Sequence, residues 1–144
     1  MTEQKERDRP IGYWLKKADE LLTTRIDEAQ RTNGLTRLGW QMLNVVRASG
    51  FASRDRITES LRPFARESAI DDMLAKLLGQ HVIIGFDEKG YALTGAGEEL
   101  YQRALASQKI VRQNAVAGIT DAEYAATISV LQRLVKNLEH DGAT

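Results

Sequence analysis

Residues 68–97 read SAIDDMLAKLLGQHVIIGFDEKGYALTGAG, and the reading of this stretch decides the fold. Ile70, Met73, Leu74, Leu77 and Leu78 recur at helical spacing, which predicts an amphipathic helix with an inward apolar face. Gly79 is placed to stop it. HVIIGF and YALT are short β-prone runs, and DEKG between them has the chemistry of a hairpin turn. Thr94 ends the second run and is placed to cap a long helix from about Gly97. The first helix raises a question. Asp71 and Asp72 stand side by side near its start, and their like charges call for partners.

Working upstream, Leu38, Met42, Leu43, Val45 and Val46 predict a helix from Leu35 to about Ala48, broken by SGFAS. Ser53 caps a short helix carrying Ile57 and Leu61, which Pro63 ends nearby. Ser68 is expected to cap the next one, with Asp71 reaching back to the Ser68 N–H and Asp72 pairing with Lys76 one turn on. A compact helical trio followed by a two-stranded hairpin is a winged helix-turn-helix pattern.

Beyond this lobe, Ile11, Trp14, Leu15, Ala18, Leu21, Leu22, Ile26 and Ala29 predict a helix from Pro10, a residue suited to the first helical position, to a stop at Asn33-Gly34. Downstream, a helix from about Gly97 to Ala115 is followed by AGIT and a capping box, Thr120-x-x-Glu123. In the last helix Tyr124, Ile128, Leu131, Val135 and Leu138 are spaced 4-3-4-3, a seam that packs on another helix. The expected class is mainly α with a small β-hairpin wing. The expected organisation is a flexible start (1–9), an N-terminal dimerisation helix (10–34), a winged lobe (35–96) and C-terminal dimerisation helices (97–144). Apolar arms longer than the trio needs to cover favour a homodimer over a monomeric bundle.

Composition narrows function. Of 144 residues, 42% are apolar, and twenty Lys and Arg balance twenty Asp and Glu, so no global field draws the chain to nucleic acid or anionic lipid. Without cysteine there is no disulfide, thiolate metal site or thiol redox sensor. No apolar run nears the roughly 18 residues of a membrane span. The start, MTEQKERDRP, lacks an apolar signal core, and a cytoplasmic location is expected. His81 and His140, far apart, do not make a zinc site, and no cofactor is implied. No Ser-His-Asp order, glycine-rich phosphate loop or HExxH suggests an enzyme.

At three places the sequence resembles the MarR family of bacterial transcriptional regulators. LTRLGWQMLNVV (from Leu35) resembles that family's second helix, LAKLLGQHVI its recognition helix meeting the wing, and LTGAGEELYQRA (from Leu93) its passage into the dimer arm. The similarity covers roughly residues 10 to 138. It implies a homodimer whose recognition helices enter successive major grooves of an inverted repeat in double-stranded DNA, with a small, often aromatic effector releasing it. This chain departs from the pattern at the wing, where only GFDEKG links the strands and Lys89 is the sole base near the tip. It departs also in charge. From Ser53 to Lys89, Arg54, Arg56, Arg62, Arg66, Lys76 and Lys89 face Asp55, Glu59, Glu67, Asp71, Asp72, Asp87 and Glu88.

The candidate DNA-binding residues are therefore Arg54, Arg56, Arg62, Arg66, Ser68, Asp72, Lys76 and Lys89. Arg66, just before the helix, is placed for phosphate or guanine, whereas Asp72 is either structural or an acceptor for cytosine N4. Tyr13, Trp14, Lys17, Trp40 and Arg47 are candidates for an effector pocket, although core packing is the first reading of both tryptophans. The expected function is a ligand-responsive MarR-like repressor. The alternative is a winged-helix module with little DNA affinity that binds a ligand or protein.

Overall fold

The computed structural model describes residues 2–141; residue 1 and residues 142–144, the ends of the outermost predicted segments, lie outside the described residues. Seven helices and one hairpin follow in order. They are α1 (Thr2–Arg7), α2 (Ile11–Gln30), α3 (Arg37–Ser49), α4 (Arg54–Leu61), α5 (Glu67–Gly79), β1 (Ile83–Phe86), β2 (Gly90–Leu93), α6 (Gly95–Ala115) and α7 (Asp121–Asp141). This is the winged helix-turn-helix arrangement that the sequence predicts. The residues expected to be frayed form α1 instead, with Glu3 in its first turn and Lys5 and Arg7 in its last, each complementing the helix dipole.

Most helix ends follow from local chemistry. Pro10 is the residue before α2, one position earlier than expected. That helix tightens into a 3-10 turn at Arg31–Asn33 and stops at Gly34, whose φ of 71° suits glycine. The Thr36 side chain accepts from the Gly39 N–H to start α3, and Ser53 Oγ accepts from the Arg56 N–H at 3.1 Å to start α4. At α6, Thr94 Oγ1 accepts from the Gly97 N–H at 3.0 Å and donates to the His81 carbonyl at 2.7 Å. One hydroxyl thus ties the start of α6 to the turn after α5. In that turn His81 holds a φ of 60°, the left-handed bend that carries the chain from helix to strand.

The hairpin is antiparallel, with Ile83 opposite Leu93 and Phe86 opposite Gly90. Ala52 adds a bridge on the far side of β2, exchanging two backbone bonds with Tyr91 at 2.8 and 2.7 Å. Two glycines make this junction possible. A Cβ on Gly90, already at φ 97°, would stand 2.4 Å from the Ala52 carbonyl oxygen; one on Gly97 would stand 1.9 Å from the Val82 carbonyl oxygen. Backbone must pass where a side chain would be.

The residues up to Val111 form one compact unit and those from Arg112 a second. In the first, Met42, Leu43 and Val46 of α3 meet Ile57 and Leu61 of α4, Ile70 and Leu77 of α5 and Ile83 of β1 in a single buried core. Burial of side chains of this size contributes about 1.5–3 kcal/mol each. Trp40 joins this core, 5% exposed, with its ring stacked on Tyr101 at 5.4 Å. Gln30 is the fully buried polar residue among those described. Its Nε2 donates to the Ala104 carbonyl of α6 at 2.8 Å, and its Oε1 accepts from Asn33 Nδ2 at 3.0 Å. Asn33 Nδ2 also donates to Ser107 of α6 at 3.1 Å.

In the second unit Gly118 turns the chain at φ 78°, and the predicted capping box forms in both directions. The Thr120 N–H donates to Glu123 Oε1 at 3.0 Å, and the Glu123 N–H to Thr120 Oγ1 at 3.1 Å. The Arg112 guanidinium lies over the Tyr124 ring at 4.9 Å. Of the rest of the seam Leu131 is half-buried, Ile128 and Val135 are exposed, and Leu138 is 63% exposed.

Candidate nucleic-acid interface

Arg66 takes an extended backbone (φ −74°, ψ 159°) and immediately precedes α5. It occupies the capping position that Ser68 was expected to hold, without a side-chain cap bond. Ser68 lies inside the first helical turn and is exposed. The periodicity of Ile70, Leu74 and Leu77 fixes which face is buried but not where the helix begins, which is why the start was misplaced by two residues. Asp71 and Asp72 consequently fall in the second turn, beyond the strongest part of the helix dipole, and Glu67 is the first-turn acid.

The two acids do not act as expected. Asp71 does not reach back to Ser68; its Oδ1 receives Arg54 Nη2 at 2.6 Å. Its pairing with Asp71, the largest influence, holds the Arg54 guanidinium above its ordinary pKa. Asp72 is exposed and forms no ion pair with Lys76 among the described residues. Arg62 is also occupied, by Glu59 one turn earlier at 3.2 Å.

The exposed face of α5 therefore presents Glu67, Ser68, Asp72, Ala75 and Lys76. Beside it, Arg56 of α4 and Arg66 are exposed, and neither they nor Lys76 are ion-paired among the described residues. A groove lined by Thr58, Arg62, Ala65, Arg66, Glu67 and Ile70 runs between α4 and the start of α5. Guanidinium forks flanking an exposed helix can hold phosphates and bring the helix edge against bases. Lys89 is directed elsewhere. Its Nζ lies over the Phe51 ring at 5.3 Å, leaving Asp87 and Glu88 as the exposed tip of the wing.

The five candidate effector residues fall into different settings. Trp40 belongs to the core, as its stacking on Tyr101 shows. Arg47 is engaged by Glu98, whose two carboxylate oxygens each accept from Nε at 3.1 Å, and its guanidinium covers the outer face of Tyr101 at 4.3 Å. The Arg47 bond, the largest influence, and one from Gln102 hold the Glu98 carboxyl below the ordinary range. Tyr13 and Trp14 meet edge to face at 5.0 Å near the start of α2, exposed, with the Arg9 guanidinium 4.2 Å from the Tyr13 ring centre. Lys17 is exposed on the same helix.

Sequence reading overlooked Arg37. Its Nη1 donates to Asp19 Oδ1 at 2.7 Å and to Thr23 Oγ1 at 2.8 Å, its backbone N–H to Asp27 Oδ1 at 2.7 Å, and its guanidinium faces Phe64. These groups line a cleft of about 170 Å³ between α2 and the lobe. Partners 10 and 18 residues away leave no local pattern that would announce it.

No protein-family model matches this chain, and no curated protein matches it in sequence. Solved structures do match in fold. A MarR family transcriptional regulator from Rhodococcus sp. RHA1 superposes with a TM-score of 0.78 at 17% identity, over 86% of this chain and 92% of that one. The Mycobacterium tuberculosis MarR family protein Rv2887, solved in complex with DNA, gives 0.71 at 22% identity, over 88% and 98%. CouR from Rhodococcus jostii RHA1, bound to p-coumaroyl-CoA, gives 0.76 at 17% identity, over 86% and 90%. The chain has the winged-helix fold of these regulators.

Proposed function

We propose that this chain is a transcriptional regulator of the MarR family, a cytoplasmic homodimer that binds an inverted-repeat promoter site and represses until a small aromatic ligand releases it. The observation that carries this is the exposed face of α5, flanked by Arg56 and Arg66 and continued by Lys76, with the core residues of the same helix holding it rigidly to α3 and α4. Two such helices related by a two-fold axis would read half-sites about one helical turn apart. The exposed apolar stripes of α2 (Ile11, Leu15, Leu21) and α7 (Ile128, Val135, Leu138) support a dimer that covers them. The exposed Tyr13–Trp14 pair with Lys17 supports an aromatic, anionic ligand; Trp40 and Arg47 are engaged within the chain.

Selecting genomic fragments on the purified protein, then titrating salt against the retained ones, tests this. Retention of fragments sharing an inverted repeat, with affinity falling steeply as salt rises, is the expected result. If no fragment is retained even at low salt, the protein is instead a winged-helix module that binds a ligand or a protein. The pairing of Arg54 with Asp71 and of Arg62 with Glu59 favours that second reading, because both arginines are already neutralised.

A further inference from the structure

The outer face of the wing is apolar where a DNA-probing wing would be basic. Ala52 lies opposite Tyr91 and Ile84 opposite Ala92, so Phe51 shares a face of the small sheet with Ala92, Ile84 and Phe86. Ile84 is 48% exposed, Phe51 and Phe86 45% each, and the two phenyl rings meet edge to face at 5.4 Å. Single exposed apolar residues are ordinary; three contiguous ones on seven or eight residues of sheet are not. No core requirement accounts for them, since Ile83 and Leu93 already supply the buried side of the hairpin.

The charge around the patch is equally specific. Asp87 and Glu88 form the leading edge of the hairpin; of the neighbouring bases, Lys89 is folded back over Phe51 and Arg54 is paired with Asp71. A groove lined by Arg54, Phe86, Asp87, Glu88, Gly90 and Tyr91 adjoins this edge. Phosphate would meet two carboxylates here, which argues against a nucleic-acid occupant. We propose that the wing is a docking surface for a protein segment in which aliphatic or aromatic side chains alternate with Lys or Arg. The apolar side chains of that segment cover Ile84, Phe86 and Phe51, and its cations reach Asp87 and Glu88. The apolar patch lies on the hairpin and the segment before α4 and includes no residue of α5.

Amide chemical shifts of the full-length protein test the proposal, with a synthetic ten-residue peptide alternating leucine and lysine as the probe and its leucine–glutamate counterpart as the control. The basic peptide is expected to shift Phe51, Ile84, Gly85 and Phe86, and the acidic one to leave them in place. Phe86→Ser should weaken the basic peptide at least tenfold without altering binding to a selected DNA fragment. Because Phe86 also packs on Phe51, the surface pair Asp87→Lys with Glu88→Lys serves as a second variant and should reverse the preference toward the acidic peptide. Absence of shifts, or equal shifts with both peptides, overturns the proposal. So does a DNA fragment that moves these same amides and loses affinity with Phe86→Ser, or concentration-dependent shifts at the patch without peptide, which would make a second copy the occupant. Failure to bind any DNA bears on α5 alone.

Discussion

Arg54 at the start of α4 and Asp71 in the second turn of α5 meet at 2.6 Å, so this acid of the exposed helix is spent on a base of the neighbouring one. This explains why an acid is tolerated there. It clamps the two helices of the helix-turn-helix together and, on the proposed function, lowers the charge offered to DNA by one. Asp71→Ala is therefore expected to free Arg54, raise affinity for all sequences, and steepen the salt dependence by about one unit. Salt titration of binding measures this; an unchanged slope would show that Arg54 points away from the duplex.

Arg66→Ala should act in the opposite sense. Loss of one unpaired phosphate contact is expected to weaken binding and flatten the salt slope by about one unit. Arg62→Ala should do less, because Glu59 already holds that side chain.

Asp72 separates two roles for an exposed acid on the reading face. As a bystander, its replacement by alanine leaves affinity unchanged or raises it on every sequence alike. As a base reader it would accept from a cytosine N4, and its loss would cost roughly 1–3 kcal/mol at one C·G pair only. Binding to a set of single-substitution operators decides between them, and the bystander outcome is expected.

Gly97→Ala should be severely destabilising, by about 1–3 kcal/mol or more, since its new Cβ would overlap the Val82 carbonyl oxygen. Gly118→Ala meets open space and bears only the cost of its positive φ. Thermal unfolding of the two variants should rank them in that order.

The Glu98 carboxyl is held low by Arg47, so its contribution to stability is present above the ordinary carboxylate range near pH ~4.3 and is lost as the pH falls through the depressed value. Glu98→Gln should flatten that acid limb of the stability curve. Unfolding midpoints from pH 7 downward measure it, and identical acid limbs in both proteins would rule the contribution out.

How far the sequence could be read depended on how far apart the interacting groups lie along it. Thr94 with Gly97, Ser53 with Arg56 and Thr120 with Glu123 each act over three residues, and all three caps form where the local pattern places them. The hairpin was equally plain, because its turn and both strands are contiguous. Arg54 with Asp71, Arg37 with Asp19 and Lys89 with Phe51 act across 17 to 38 positions and leave no periodic trace. The two tryptophans illustrate the same limit. Trp14 and Trp40 each sit on an apolar helical stripe, yet only Trp40 has an aromatic partner on another helix, Tyr101, and so only it is core. Of the candidate interface, the identity of the exposed bases was legible, and which of them are already engaged was not.

The buried amide of Gln30 has a mechanical meaning. Its Nε2 reaches the Ala104 carbonyl past a fully buried side chain of a single methyl, and beside it Asn33 donates to Ser107, whereas one turn away α6 presents Leu100 and Gln108. Sliding α6 by a single turn, about 5.4 Å, would bring one of these larger side chains against the amide and part Asn33 from Ser107, and an amide left unmatched there costs roughly 1–3 kcal/mol. Gln30 thus works as a detent. It permits one seating of the long helix against α2 and rejects its neighbours, so the place of the wing relative to α2 is indexed in discrete notches instead of being free to drift.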